Sequence, residues 1–332
     1  MEKGRHIGLD LLRILSALGV VFIHVAAPYV TQNMKLVNEA FWAGNLFDTL
    51  GRFSVPVFII VSGYFILKPI PDLGVFYRKR FTRILLPFIC WSVVYLLWSF
   101  FFEHTHSRRI WDGVLWGKPY FHLWFLGMLM GLYAVTPLLG YLFDRIGTRR
   151  FAYVALGAFI LAMGMDAWDT YSHNKPWIGI WWVSYVGYFM IGACIRSLKG
   201  MLNSKLLMAE AAVLCYMMVF VFTGLLFKNG HYTWYFYGYL SVTSIVGSIA
   251  LANLFRGMEL PASRFVSELS DLTFGIYLIH MIPLTIIKRY WHSSIVDNPF
   301  LNILLVSLIV FAASTAVVWL MSKVKIIKRL ML

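Results

Sequence analysis

This sequence predicts an all-α polytopic membrane protein of about ten transmembrane helices with both termini cytoplasmic. Three observations predict it. Of 332 residues, 60% are hydrophobic and 13% charged, whereas soluble domains carry about 25% charged residues. Apolar segments of about 20 residues, enough to cross a hydrocarbon core of about 30 Å, recur along the chain. With both ends placed inside, nineteen of the 29 Lys and Arg residues fall in inward-facing segments and eight in outward-facing ones. That is the sense the positive-inside rule requires. The net charge of +14 is thereby explained by topology and calls for no nucleic-acid partner.

The predicted spans lie near 7–29, 47–67, 84–102, 122–142, 151–166, 178–196, 206–227, 234–255, 270–288 and 301–322. The first is too long for the apolar core of a signal peptide and lacks a small-residue cleavage site, so it reads as a retained helix. The second contains SVPVFIIVSGYFI, where Pro56 predicts a kink and Ser62–Gly63 permit a close backbone approach. The third follows the basic run YRKRFTRILLP, the fourth opens on YFHLWFLGML, and the fifth is short. The ninth is DLTFGIYLIH and its continuation. The longest external connections, 29–46 and 103–121, have under 20 residues each, so the chain reads as one integral-membrane domain, 1–332. The second of these, with His104, His106, Arg108, Arg109 and Lys118, runs against the charge rule. Cys90, Cys194 and Cys215 all fall in apolar segments and offer neither a disulfide framework nor a metal spacing. No internal repeat of the kind found in inverted-repeat transporters is visible.

The polar residues inside these spans are the candidates for chemistry. A charge at the centre of a spanning helix costs at least about 2.5 kcal/mol. Arg13 and His24 are eleven residues apart, about three turns of helix, so they share a stripe with a rise of about 16 Å between them. Asp10 stands one turn before Arg13. In the predicted orientation Asp10 and Arg13 lie towards the cytoplasm and His24 towards the outside. Asp48 and Arg52, at i and i+4, are expected to pair at the outer end of the second span. His122 and Trp124 open the fourth, and His280 ends the outward-running ninth. His24, Arg52, His122 and His280 therefore share one depth on four helices. Imidazole takes up and returns a proton near neutral pH, which suits His24 to act as a general base on a hydroxyl. Each has a plainer reading: Arg52 neutralises Asp48, His122 and Trp124 anchor at the interface, His280 bonds a neighbouring helix. On the inner side Arg80 and Arg83, at i and i+3, either anchor the topology or grip phosphate. No GxSxG elbow, phosphate-binding P-loop or HExxH motif is present.

Five stretches in order resemble the acyltransferase-3 family of integral-membrane acyltransferases. LDLLRILSALGVVFIH resembles its Arg-x10-His element at Arg13 and His24, with Asp10 in the preceding acidic position. RFSVPVFIIVSGYFI, RKRFTRILLP, HLWFLGMLMGLYAVTPLL and TFGIYLIH resemble later signatures. The first span reads LLRILSA where many members have LRGIAA. The size is closest to the compact O-acetyltransferases of that family. The resemblance implies an acyl-CoA donor, usually acetyl-CoA, used from the cytoplasm as a co-substrate, with no bound cofactor and no metal. It implies a sugar hydroxyl as acceptor, on a surface polysaccharide or lipid-linked glycan, in the bacterial cytoplasmic (inner) membrane. His24, Arg13 and Asp10 are then the expected catalytic residues. Arg52, Arg80, Arg83, His122, Trp124 and His280 are the expected substrate-binding ones. Two other classes fit a helical bundle with a polar stripe: a transporter or flippase of lipid-linked substrates, and a non-catalytic assembly protein.

Overall fold

The computed structural model describes residues 5–104, 119–172, 180–197, 204–291 and 295–331, and every regular element among them is helical. In chain order these are α1 (Ile7–Asn33), α2 (Glu39–Gly51), α3 (Ser54–Ile66), α4 (Leu73–Phe101), α5 (Trp124–Ser172), α6 (Val186–Ser197), α7 (Lys205–Lys228), α8 (Val242–Arg256), α9 (Arg264–Ile279), α10 (Met281–Tyr290), α11 (Pro299–Lys323) and α12 (Lys325–Met331). Single 3-10 turns precede α5, α6 and α8.

Among the described residues seven helices are long and apolar enough to span a bilayer, or up to eight if α9 and α10, bent by 54°, make one span. The difference from ten has identifiable origins. Phe121–Ser172 counts once, although Gly147 interrupts it with φ 74° and ψ 166°, a left-handed conformation that glycine adopts without steric cost. The segment expected at 178–196 holds a 3-10 turn and the 12-residue α6, too short alone. The ninth expected span is bent at His280, because Pro283 gives no N–H to the Ile279 carbonyl.

Helix ends also extend past the apolar windows. α1 runs to Asn33 and α2 begins at Glu39, so the expected 29–46 connection shrinks to a short turn. The Asn38 side chain accepts from the Phe41 amide at 3.0 Å and starts α2. Asp72 caps α4 in the same way, accepting from Val75 N at 2.9 Å, so the basic run lies within a helix rather than before one. The break in the second span falls at Arg52–Phe53, and Pro56 sits in the first turn of α3, where its missing N–H costs little. The basic and histidine-bearing part of 103–121 lies outside the described residues, except His104.

The chain divides into two compact units, Met1–Val61 with Leu198–Leu320, and Ser62–Ser197 with Met321–Leu332. In the first, α1 packs against α2, α8 and α9, and α7 packs against α2 and α8. Lipid tails are as apolar as leucine, so such helices associate through close packing and polar contacts rather than hydrophobic burial. Gly19 and Gly51 show this directly: a Cβ on Gly51 would overlap the Gly19 carbonyl of α1, and one on Gly19 would overlap Ser54 at the start of α3. The apolar window of α1 is 61% buried and that of the Glu39–Ile66 span 67%, against 28% for α7 and 33% for α11, so these are interior spans that can carry ionisable groups.

In the second unit, α4 and α6 pack on α5 and α12 packs on α4. Gly63 lies against the Phe189 carbonyl, the close approach expected of Ser62–Gly63. Arg196 donates to the carbonyls of Tyr64 and Leu67, both at 2.7 Å, and satisfies the orphan carbonyls at the end of α3.

Candidate functional site

The first unit gathers eight sequence-predicted or newly apparent groups along α1: Arg5, Asp10, Arg13, His24, Ser270, Asp271, His280 and Lys288. Near its start Asp10 is buried and accepts from Arg5 Nε at 2.7 Å and from Ser270 Oγ at 2.8 Å. Arg13 Nη1 lies 3.7 Å from the same carboxylate and donates to Ser270 Oγ at 3.1 Å. Arg5 also donates to Asp271 at 2.8 Å and to the Ser267 carbonyl at 2.7 Å. The hydrogen bond to Asp271 raises the Arg5 guanidinium further above its ordinary value, outweighing the opposing effect of partial burial, with Asp10 adding to it. The network ties α1 to α9 with two arginines and two aspartates, which balance in charge. Arg5, Ser270 and Asp271 were not among the expected residues. They are separated from Arg13 by too much chain, or lie too near the expected interface, for spacing to mark them.

Three turns on, the His24 and His280 rings stack, 5.1 Å between centroids and 25° between planes. His24 is half-buried, whereas His280 is fully buried. His280 Nδ1 lies 2.7 Å from the Tyr277 carbonyl. A carbonyl only accepts, so Nδ1 carries the proton and, in the neutral ring, Nε2 is the basic nitrogen. His280 also forms the junction of α9 and α10, so the bend that Pro283 imposes sets the direction of its ring. Lys288, from the far end of α10, places Nζ 3.5 Å from the His24 carbonyl, at the outer limit of hydrogen bonding. Two of the histidines expected at one depth are thus in ring contact.

Arg52 lies in the same unit, fully occupied by structure on most sides. It pairs with Asp48, donates to the Tyr237 carbonyl at 3.0 Å, and sits over the Tyr237 ring at 4.4 Å from its centroid. The expected i, i+4 pair is present. Asp48 is 2% exposed, so the pair is an interior ion pair, where breaking one partner costs more than the intact pair contributes.

Arg80, Arg83, His122 and Trp124 belong to the second unit. Arg80 and Arg83 occupy α4, with Arg80 half-buried and Arg83 exposed, and the Arg80 guanidinium lies 5.9 Å from the Phe76 ring centroid. His122 is buried in the 3-10 turn Phe121–Leu123, edge-on to Tyr95 at 4.9 Å and to Tyr120 at 5.5 Å. Tyr95 and Tyr120 stack at 4.4 Å, and Tyr120 donates to Glu103 at 2.6 Å. Burial, with that hydrogen bond, pushes the Tyr120 phenol well above its ordinary range, so it stays a donor. Trp124 packs against Trp181 and Tyr185, both at 5.6 Å. Among the described residues no group of three His, Cys, Asp or Glu side chains is placed to hold a metal ion.

Interior helices with buried ion pairs, ring-stacked histidines and apolar outer faces define a multi-pass membrane protein with a polar interior site. The chain belongs to the acyltransferase-3 family, whose model, described as "Acyltransferase domain", matches residues 6–323. No curated protein and no solved structure matches it. The match carries acyltransferase activity, and spans both units.

Proposed function

We propose that this membrane acyltransferase moves an acetyl group from cytoplasmic acetyl-CoA to a hydroxyl of a surface polysaccharide or lipid-linked glycan. His24 takes the hydroxyl proton while the hydroxyl oxygen attacks the thioester carbonyl. The C–S bond then breaks, and the proton returns to the departing thiolate. The observation that carries this reading is the His24–His280 stack: a base held in orientation, in a polar site, on an interior helix. His280, with its Nδ1 proton committed to Tyr277, positions His24. Arg13, oriented by Asp10, fixes α1, and Arg80 and Arg83 on α4 are the grip for donor phosphate. In the first unit Arg52 helps to position the acceptor. With both termini cytoplasmic, in a bacterial inner membrane, the donor meets the basic side. The acyl-CoA need not cross; its pantetheine arm extends towards His24.

Purified protein in vesicles, given acetyl-labelled acetyl-CoA and a glycan acceptor, tests the reading. Label is expected on the acceptor. Movement of intact acceptor across the bilayer without label on it would replace the reading with transport.

A further inference from the structure

Any acyl transfer places negative charge on the carbonyl oxygen of the donor as the acceptor attacks, so a base acting on the acceptor meets only half of the need. The other half is a hydrogen-bond donor held where that charge develops. The two arginines carried by α1 and the second span are engaged elsewhere. Arg13 lies three turns from His24, against Asp10 and Ser270. Arg52 pairs with Asp48 and donates to the Tyr237 carbonyl. Lys288 differs. It makes no ion pair among the described residues, and its Nζ lies 3.5 Å from the His24 carbonyl oxygen. An ammonium has three N–H groups, so that contact leaves two for a ligand beside the His24–His280 stack.

Two features of the fold put the ammonium there. Lys288 stands in the last turn of α10, which begins directly after His280. Helical side chains lean towards the N-terminus of their own helix, so the Lys288 stem runs back towards His280. α1 continues nine residues past His24, to Asn33, which sets the ammonium about 13 Å short of that helix end. A lysine serving only as an interfacial anchor extends towards the end of its bundle. Lys288 is half-buried and turns instead to the interior helix, beside the proposed base. A cation is costly inside a spanning segment, and one placed there with N–H groups to spare marks a place for an anion.

We propose that Lys288 is a catalytic residue: its ammonium donates to the acyl carbonyl oxygen as that oxygen becomes an anion. The acceptor oxygen, its proton passing to His24, bonds to the acyl carbon, and the C=O π pair moves onto the oxygen facing Lys288. When that pair returns, the C–S bond breaks and the thiolate takes the proton from His24. Lys288 neither gains nor loses a proton; its charge offsets the one that develops. The need for such a donor follows from acyl transfer itself. The thioester and His24 as base rest on the function proposed above.

Steady-state transfer by the protein in vesicles gives the first test. Lys288→Met is expected to lower kcat and kcat/KM together by about a hundredfold, with donor KM within about twofold, because the contact is made only in the transition state. Lys288→Arg, which keeps a charged donor, is expected to stay within about tenfold of the natural rate. Binding of two donor analogues separates catalysis from a structural role. S-ethyl-CoA has no carbonyl oxygen and is expected to bind the natural protein and Lys288→Met alike. The trifluoroacetonyl thioether of CoA, whose hydrated ketone is tetrahedral, is expected to bind the natural protein at least about tenfold more tightly. Equal losses of affinity for both analogues, or an unchanged kcat in Lys288→Met, would overturn the proposal and leave the proposed function standing. Absence of transfer from acetyl-CoA by the natural protein would remove that function and this proposal with it. If Lys288→Met yields no folded protein, Lys288→Gln is read in its place, with kcat expected to fall at least about tenfold. Failure of Lys288→Gln to fold as well would mark Lys288 as structural and overturn the proposal.

Discussion

The two ends of α1 meet the same bent pair, α9 and α10, and are built on opposite lines. At the start, Asp10 is gripped by Arg5 and Ser270, Arg13 reaches Asp10 and Ser270, and Asp271 balances Arg5. Three turns later, two imidazoles lie face to face, one with its proton committed to a carbonyl. The first end consists of two arginines paired with two aspartates of opposite charge. The second consists of the side-chain type able to exchange a proton near neutral pH. One stripe on one helix therefore divides into a part suited to hold structure and bind anions, and a part suited to chemistry.

That division is sharpened, or broken, by substituting each end in turn. The largest effect is expected from His24→Ala, a loss of at least about a hundredfold in acyl transfer with folded yield unchanged, measured by label transfer and gel filtration. Asp10→Ala strips Arg5 and Arg13 of a buried acceptor and is expected to cost about 2 kcal/mol. It should appear as a fall in Tm of a few degrees and a raised donor KM, with kcat near its original value. His280→Ala removes the stacked ring, worth about 1 kcal/mol, together with a buried hydrogen bond, and is expected to lower kcat five- to tenfold (about one ring contact) and Tm by a few degrees. Arg83→Ala, on the exposed face of α4, is expected to raise donor KM about threefold at low salt and less at high salt. Smallest is Glu268→Gln, which removes the surface pair with Arg264 and should leave both Tm and rate unaltered.

The sequence made some of this legible and hid the rest for physical reasons. The stripe from Arg13 to His24 follows from helical periodicity, and the Asp48–Arg52 pair from i, i+4 spacing. Each depends only on neighbours along the chain. Arg5, Ser270 and Lys288 enter through contacts between α1 and elements more than 200 residues away in sequence, which spacing does not report. One signal was nonetheless local: Pro283, three residues after His280, announces the bend that a reading of one continuous ninth helix passes over. Helix starts at Asn38 and Asp72 were missed because apolar windows see lipid-facing length, not the polar caps that extend a helix beyond it.

The central claim is that His24 is the base for acyl transfer. The most direct measurement is the single-turnover rate of acetyl transfer from labelled acetyl-CoA by His24→Gln, which keeps a hydrogen-bonding side chain but not a titrating one. The account predicts a rate at least about a hundredfold below that of the natural protein, with acetyl-CoA still bound. Transfer by His24→Gln at the natural rate would contradict it.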